Sequence, residues 1–398
     1  MSNITIPPTY EDDLGNLPWN SKQTVTEYFF KKINPLLQYE MELIESYISL
    51  NYLPIDLEEW ATNMGKILFH LSSWDANRED FKIDDRPLYW TRIKYINMIK
   101  KLCHILNLQP SFPKILRIFE EESRNLNKMD FSSAPPGCKK ILITGFDPFL
   151  LNSKDFPGHH NIRQSNPSGC VALSLNHTFT PDQKAYIFSM IFPVRYNDFD
   201  GSTQNTTGTG EGIVERYLKP LMDKVDMIIT ISQGKPDQYC LDQFATRTRG
   251  GKIDNMGHTR PEGSSCLSVD DPPWISTTLT DVFEKKVVSI NDEFIQAKGD
   301  SVQHGLPPTP ETPIYSGPGG NYLSNEIFYR TARLRELWID EQAKKTGQRP
   351  QKFTGHLHIP KLQDPAKKMP DGSLGEDFNY SETLKLINKV KSIIDSAF

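Results

Sequence analysis

Cysteine is scarce and unpatterned in this chain: Cys103, Cys138, Cys170, Cys240 and Cys266 stand far apart, with no CxxC pair and no short metal-ligand spacing. An odd, scattered set excludes a disulfide framework and a cysteine-rich zinc module, and reads as the free thiols of a reducing compartment. Long apolar runs are missing too. Nowhere do about 18 apolar residues follow one another, and the opening MSNITIPPTYEDDLGNLPWN has neither a basic start nor an apolar stretch. The expectation is a soluble, cytoplasmic protein with no membrane association. Charge of one sign is also lacking: 45 Lys and Arg face 50 Asp and Glu without a long block, for a net charge of -5. That leaves no electrostatic footprint for nucleic acid, and a peptide or small amide fits better as partner. GTGEG at 208–212 lacks the Lys-Ser/Thr of a phosphate loop, no repeat is visible, and no cofactor is expected.

What is present falls into two parts. A length of 398 residues exceeds one usual domain. Between Ser21 and Leu50 apolar residues recur at helical spacing, Thr24 with Glu27 forms a capping box, and Pro35 is expected to kink or split the helix. The same rhythm returns in Leu88–Leu106 and in Ile115–Leu126, so residues 1–128 read as an all-α domain. The Pro-containing stretch 129–137, MDFSSAPPG, reads as a linker.

From 138 to 398 short apolar runs alternate with helical patterns. The runs are 141–144, 186–194, 227–232, 313–317 and 353–360, and the helices are expected near 168–176, 211–224, 324–346 and 381–396. This order predicts a three-layer α/β/α domain around a parallel or mixed sheet. Segments 150–166 and 258–312, rich in Gly, Pro, Ser and Asp, are long enough to be functional lids or insertions.

In such a sheet, ligands bind beyond the carboxyl ends of the strands, so the residues following each run come first. They are Thr144-Gly145-Phe146-Asp147-Pro148-Phe149 with Asn166-Pro167-Ser168, then Ser232-Gln233-Gly234 with Asp242 and Asp254-Asn255. After them come Gly317 to Asn325, which include Tyr322 and Ser324, and Gly355-His356-Leu357-His358-Ile359-Pro360. His356 and His358 lie two apart on one strand face, as an HxH metal pair would, but no third ligand stands at a recognisable spacing, and no metal is expected. The adjacent pair His159-His160 supports nothing specific. Asp242 has two simpler readings, a helix cap or a partner for Arg247, Ser324 could be a plain N-cap, and Phe146 and Phe149 could be core aromatics.

Taken in order across 139–362, these segments resemble the pyroglutamyl-peptidase (pyrrolidone-carboxylate peptidase) family of cysteine peptidases. The resemblance implies a pyroglutamyl-peptidase type of fold. It also implies a catalytic set with Ser324 at the cysteine position, Asp242 at the glutamate position and His358 at the histidine position. Phe146, Phe149 and Tyr322 would hold the flat ring, with Gln233 beside them, and backbone amides near Gly234 or Ser324 would hold the oxyanion. A hydroxyl at a helix start, an imidazole and an orienting carboxylate also make chemical sense unaided.

The chain departs from the family at several places. Both nucleophile and acid differ, Leu150-Leu151 replaces a glycine pair, and 34 positions separate Ser324 from His358. An extended helix in ELWIDEQAKKTGQRPQK would absorb that interval. The implied function is removal of an N-terminal pyroglutamyl or similar group from peptides. Two other readings stay open: an inactive pseudopeptidase that binds a partner through the remnant pocket, and a cysteine hydrolase whose nucleophile has been changed to serine. The helical domain has no chemical motif and is assigned only a partner or oligomer contact.

Overall fold

Residues 6–49, 55–76, 83–127, 129–151, 161–201, 210–283, 289–291, 294–296, 302–303, 314–362 and 380–398 are described by the structure, a computed structural model. Two compact units emerge, Met1–Met129 with Asp147–Ser165 and Asp130–Phe146 with Asn166–Phe398.

The first unit is helical: α1 Tyr10–Gly15, α2 Val25–Phe30, α3 Pro35–Ser49, α4 Leu57–Ala76, α5 Arg86–Ile105 and α6 Phe112–Glu122. Thr24 and Glu27 close the expected capping box on α2, with the Glu27 carboxylate accepting from the Thr24 amide at 2.8 Å. Pro35 splits the expected helix by opening α3, where its missing N–H costs nothing. Leu14, Val25, Phe29, Tyr89, Trp90 and Ile93 form a core that Leu151 joins. The segment 147–165 groups with these helices for a further reason. Arg92 and Arg124 are both buried, and Asp147 bridges them, accepting from Arg92 Nη1 at 2.9 Å and from Arg124 Nη2 at 2.8 Å, while Glu120 also pairs with Arg124 at 2.9 Å.

The second unit is α/β. Its strands are β1 Lys139–Phe146, β2 Thr178–Phe179, β3 Ala185–Phe192, β4 Met227–Gln233, β5 Cys240–Asp242, β6 Phe244–Thr246, β7 Thr248–Arg249, β8 Ser264–Ser265 and β9 Trp274–Ser276. There follow β10 Ser289–Asn291, β11 Phe294–Gln296, β12 Val302–Gln303, β13 Ile314–Ser316 and β14 Phe353–Ile359. Helices α7 Pro167–Leu175, α8 Tyr196–Phe199, α9 Ile213–Leu218, α10 Leu323–Thr346 and α11 Tyr380–Asp395 complete it.

Seven strands form the main sheet in the order β10-β5-β14-β4-β1-β3-β2. The central strands β3, β1, β4 and β14 run parallel and are buried almost throughout, as both-face covering demands. β5 and β2 are antiparallel to their neighbours β14 and β3, so the sheet is mixed. The apolar run at 313–317 supplies β13, which pairs in a separate three-stranded sheet with β11 and β12.

Register assigns the two helical layers. Ser189 of β3 aligns with Ile143, which aligns with Ile229, and its hydroxyl donates to the Ala172 carbonyl of α7, so that face belongs to α7. The next residues along, Thr144 and Thr230, share the opposite face with His356, whose ring stacks on Phe328 of α10. This is the three-layer α/β/α arrangement expected. Among the described residues no helix is long and apolar enough to cross a membrane.

Candidate functional site

Two strands flank β14, and their registers decide what surrounds its histidines. Thr230 and Ser232 of β4 lie beside His356 and His358, while Asp242 and Cys240 of β5 lie opposite the same two residues. Side chains directly across from one another in a sheet project from one face. Thus two histidines, a carboxylate, a thiol and two hydroxyls crowd the α10 face near the carboxyl ends of β4 and β14.

His358 and Asp242 are both buried and face each other, with Nδ1 3.0 Å from Oδ2. A carboxylate only accepts, so Nδ1–H donates, and Nε2 is the ring nitrogen left for another partner. Asp242 sits on a strand rather than capping a helix, and Arg247 directs Nη1 to the carbonyls of Val269 and Asp271. The loop carrying Gly319 presses against the imidazole beside its contact with Asp242. A Cβ there would lie 2.7 Å from His358 Cε1 and 2.9 Å from Asp242 Oδ2, so only glycine lets the backbone approach so closely. Gly319→Ala is therefore expected to turn the His358 ring away from Asp242 with little loss of fold. Histidine NMR of the variant, beside its melting curve, checks this.

Ser324 is the second residue of α10, half-buried, and its hydroxyl donates to the Gly319 carbonyl at 3.4 Å. It is not the N-cap; that position is Tyr322. The next residue, Asn325, anchors the helix start. Its side chain accepts from the Thr246 amide at 2.9 Å and donates to the Thr246 and Thr248 carbonyls at 2.8 and 2.9 Å. The Gly234 amide donates to the Ile359 carbonyl at 2.7 Å and is thereby removed as an oxyanion donor. The Asn325 and Glu326 amides both donate to the Tyr322 carbonyl, at 3.1 and 3.2 Å, so the alternative is the Leu323 and Ser324 amides that open α10.

Phe146 is buried and stacks on Phe199 with centroids 6.4 Å apart, while Tyr322 meets Tyr196 edge-on at 5.8 Å and donates its hydroxyl to the Ile253 carbonyl. The short helix α8 thus touches both rings, Phe199 against one and Tyr196 against the other. Phe149, half-buried, lies in segment 147–165 with the helical unit. Asn166 caps α7 and accepts from the Ser168 hydroxyl at 2.8 Å, and that hydroxyl in turn accepts from the Phe146 amide at 3.1 Å, which ties the NPS segment to the end of β1. Asp254 holds the Asp-Asn turn by accepting from the amides of Met256, His258 and Tyr196. Gln233, half-buried, ends β4 in register with Ile359.

Sequence reasoning did not single out Thr230 or α8, and it named Ser232 and Gly319 only as members of turn segments, without a role. The one available signal was the T-x-S alternation of β4, which matches the H-x-H of β14 once the strands are known to pair. His356 is fully buried and uses both ring nitrogens, each 2.7 Å from a hydroxyl, Thr230 at Nδ1 and Ser232 at Nε2. Burial, with His358 nearby, holds its pKa well below the ordinary histidine value, so the ring is neutral. The candidate ligand atoms of Asp242, His356 and His358 lie within 4.8 Å of one another. Those on His356 and the His358 Nδ1 are hydrogen-bonded within the protein. His159 and His160 lie outside the described residues.

Comparison with known proteins gives similarity over part of the chain. The family described as "PA0049, C-terminal domain" matches residues 140–284. The uncharacterized protein PA0049 of Pseudomonas aeruginosa is 30% identical over 185 residues, which is 44% of this chain and 32% of that protein, so the chain spans about a third of the length of this curated relative. Among solved structures, a mutant pyrrolidone carboxyl peptidase from Pyrococcus furiosus aligns with 65% of this chain and 97% of its own at 20% identity and a TM-score of 0.36. Pyroglutamyl peptidase I from Bacillus amyloliquefaciens aligns with 65% and 98% at 18% identity and a TM-score of 0.35.

Proposed function

We propose that the α/β unit is a hydrolase of the pyroglutamyl-peptidase type, removing an N-terminal pyroglutamyl or similar group from a peptide. The observation that carries this reading is the buried His358–Asp242 pair, 3.0 Å apart, with Gly319 beside it and the Ser324 hydroxyl bonded to the Gly319 carbonyl. The ordered motifs from Thr144 to Pro360 support it independently.

In this mechanism Asp242 fixes the tautomer of His358 and steadies the imidazolium that forms. Rotation of Ser324 about χ1 releases its proton from the Gly319 carbonyl towards Nε2 of His358. The hydroxyl oxygen attacks the scissile carbonyl, His358 takes the proton and returns it to the leaving amine, and the Leu323 and Ser324 amides that open α10 face the oxyanion with the positive end of the helix dipole behind them. Water then attacks the acyl-serine ester, again with His358 as base, and regenerates Ser324.

Release of the arylamine from a pyroglutamyl-arylamide tests the proposal. The unmodified chain is expected to turn over, and Ser324→Ala to reduce kcat by on the order of a thousandfold or more. Ser324→Cys keeps a nucleophile whose proton His358 can accept more readily, and is expected to retain or exceed the original rate. Inertness of both the unmodified chain and Ser324→Cys would sink the reading.

A further inference from the structure

His356 is excluded from the proposed chemistry, yet its hydrogen bonds admit one consistent proton arrangement. The Thr230 hydroxyl has a single proton and lies 3.1 Å from the Gly355 carbonyl, which can only accept. With that proton committed, Thr230 Oγ1 accepts from His356 Nδ1–H, and Nε2 then accepts from the Ser232 hydroxyl. Phe328 covers the ring on one side, centroids 6.0 Å apart and nearly parallel. His358 stands on another, with centroids 4.6 Å apart and planes at 70°. Ser232 and His356 do not form a second catalytic pair, because Thr230 occupies the place where an orienting carboxylate would be needed.

The consequence is felt by His358. Asp242 holds its Nδ1, Gly319 blocks its Cε1 edge, and His356 closes a further side of the ring. The ionisable groups that face it are Asp242 and Cys240 from β5 and His356 from its own strand. We infer that His356 is a positioning residue: a ring tethered by Thr230 and Ser232 that walls His358 into the orientation facing Asp242 and Gly319. The inference rests on the reading of His358 as the catalytic base, and deepens it.

Histidine-labelled full-length chain provides the test, with the His358 signals assigned through His358→Gln. In the unmodified protein the Nδ1–H of His358, bonded to Asp242, is expected as a protected resonance. His356→Ala removes the wall and is expected to abolish that resonance and to lower kcat about 10- to 100-fold at unchanged KM, the scale of a small misplacement of a catalytic group. His356→Phe keeps a ring of similar breadth but neither tether, and both readouts are expected to fall between those of the original and those of His356→Ala. A His358 Nδ1–H resonance unchanged in His356→Ala would overturn the proposal, as would a folded His356→Phe that does no better than His356→Ala. If His356→Ala does not fold, Ser232→Ala, which keeps the ring but cuts one tether, is read instead. Broadening of the His358 signal then supports the role, and a sharp, unshifted signal overturns it. An unmodified chain inert towards pyroglutamyl-arylamide, but still showing the loss in His356→Ala, would sink the peptidase reading alone and leave the wall standing.

Discussion

Asp242→Asn is expected to lower kcat on pyroglutamyl-arylamide by on the order of 10⁴-fold while KM changes little. The side chain keeps its size and its place on β5, so the geometry survives. Its chemistry does not: an amide turned to present its oxygen still satisfies Nδ1–H, but it no longer offsets the imidazolium charge, and turned the other way it forces the proton onto Nε2, the atom that must receive one. The magnitude follows from needing both the right tautomer and the compensating charge in the transition state. Steady-state kinetics on purified Asp242→Asn beside the original chain decide the point, and a loss smaller than about tenfold would show that Asp242 is a structural partner only.

Arg330→Met is expected to cost about 3–5 kcal/mol of stability, the range for removing one member of a buried charge cluster. Below Ser324 on α10, the Arg330 guanidinium donates to Glu326 at 2.8 Å, to Glu215 at 2.9 Å and to the Cys266 carbonyl at 2.7 Å. Glu326 also accepts from Arg249, which together with Arg260 satisfies Asp200. Three guanidinium groups and three carboxylates balance there, and Glu326 and Arg330 have no exposed surface. Methionine fills much of the volume but leaves Glu326 and Glu215 short of positive charge in a dry interior. The urea midpoint of the α/β unit should fall accordingly, and Glu326→Gln in the same chain should recover part of the loss because the two changes share a partner. A midpoint within the error of the original would show the cluster to be solvated in a way its burial does not suggest.

Much of the architecture could be read from residue order alone. Long periodic segments such as 324–346 and the short, mainly apolar runs of β1, β3 and β4 carry their structure in local pattern, and Pro35 and the Thr24–Glu27 box mark real helix boundaries. Short elements were opaque for a physical reason. β5 is three residues long, too few for a period to register, and exists because β14 and β10 pair with it on either side. The face-sharing of Asp242 with His356 was therefore invisible in the letters around it. Phe146 shows a different limit: the same aromatic residue serves a pocket wall or a core, and only its packing on Phe199 places it in the interior. In His356 the HxH spacing was legible, but neither the hydroxyls of Thr230 and Ser232 at its nitrogens nor the nearness of Asp242 was, because all three come from other strands.

The brevity of β5 has a functional corollary. The His358 imidazole belongs to the seven-residue strand β14, inside the main sheet, but the carboxylate it faces rides on a three-residue ribbon whose ladder bonds number few on each side. Such ribbons detach by sub-global fluctuation at far lower free energy than the strands beside them. The His358–Asp242 contact and the integrity of the fold are thus separable quantities, and mild heating or denaturant is expected to break the contact well before the central sheet yields.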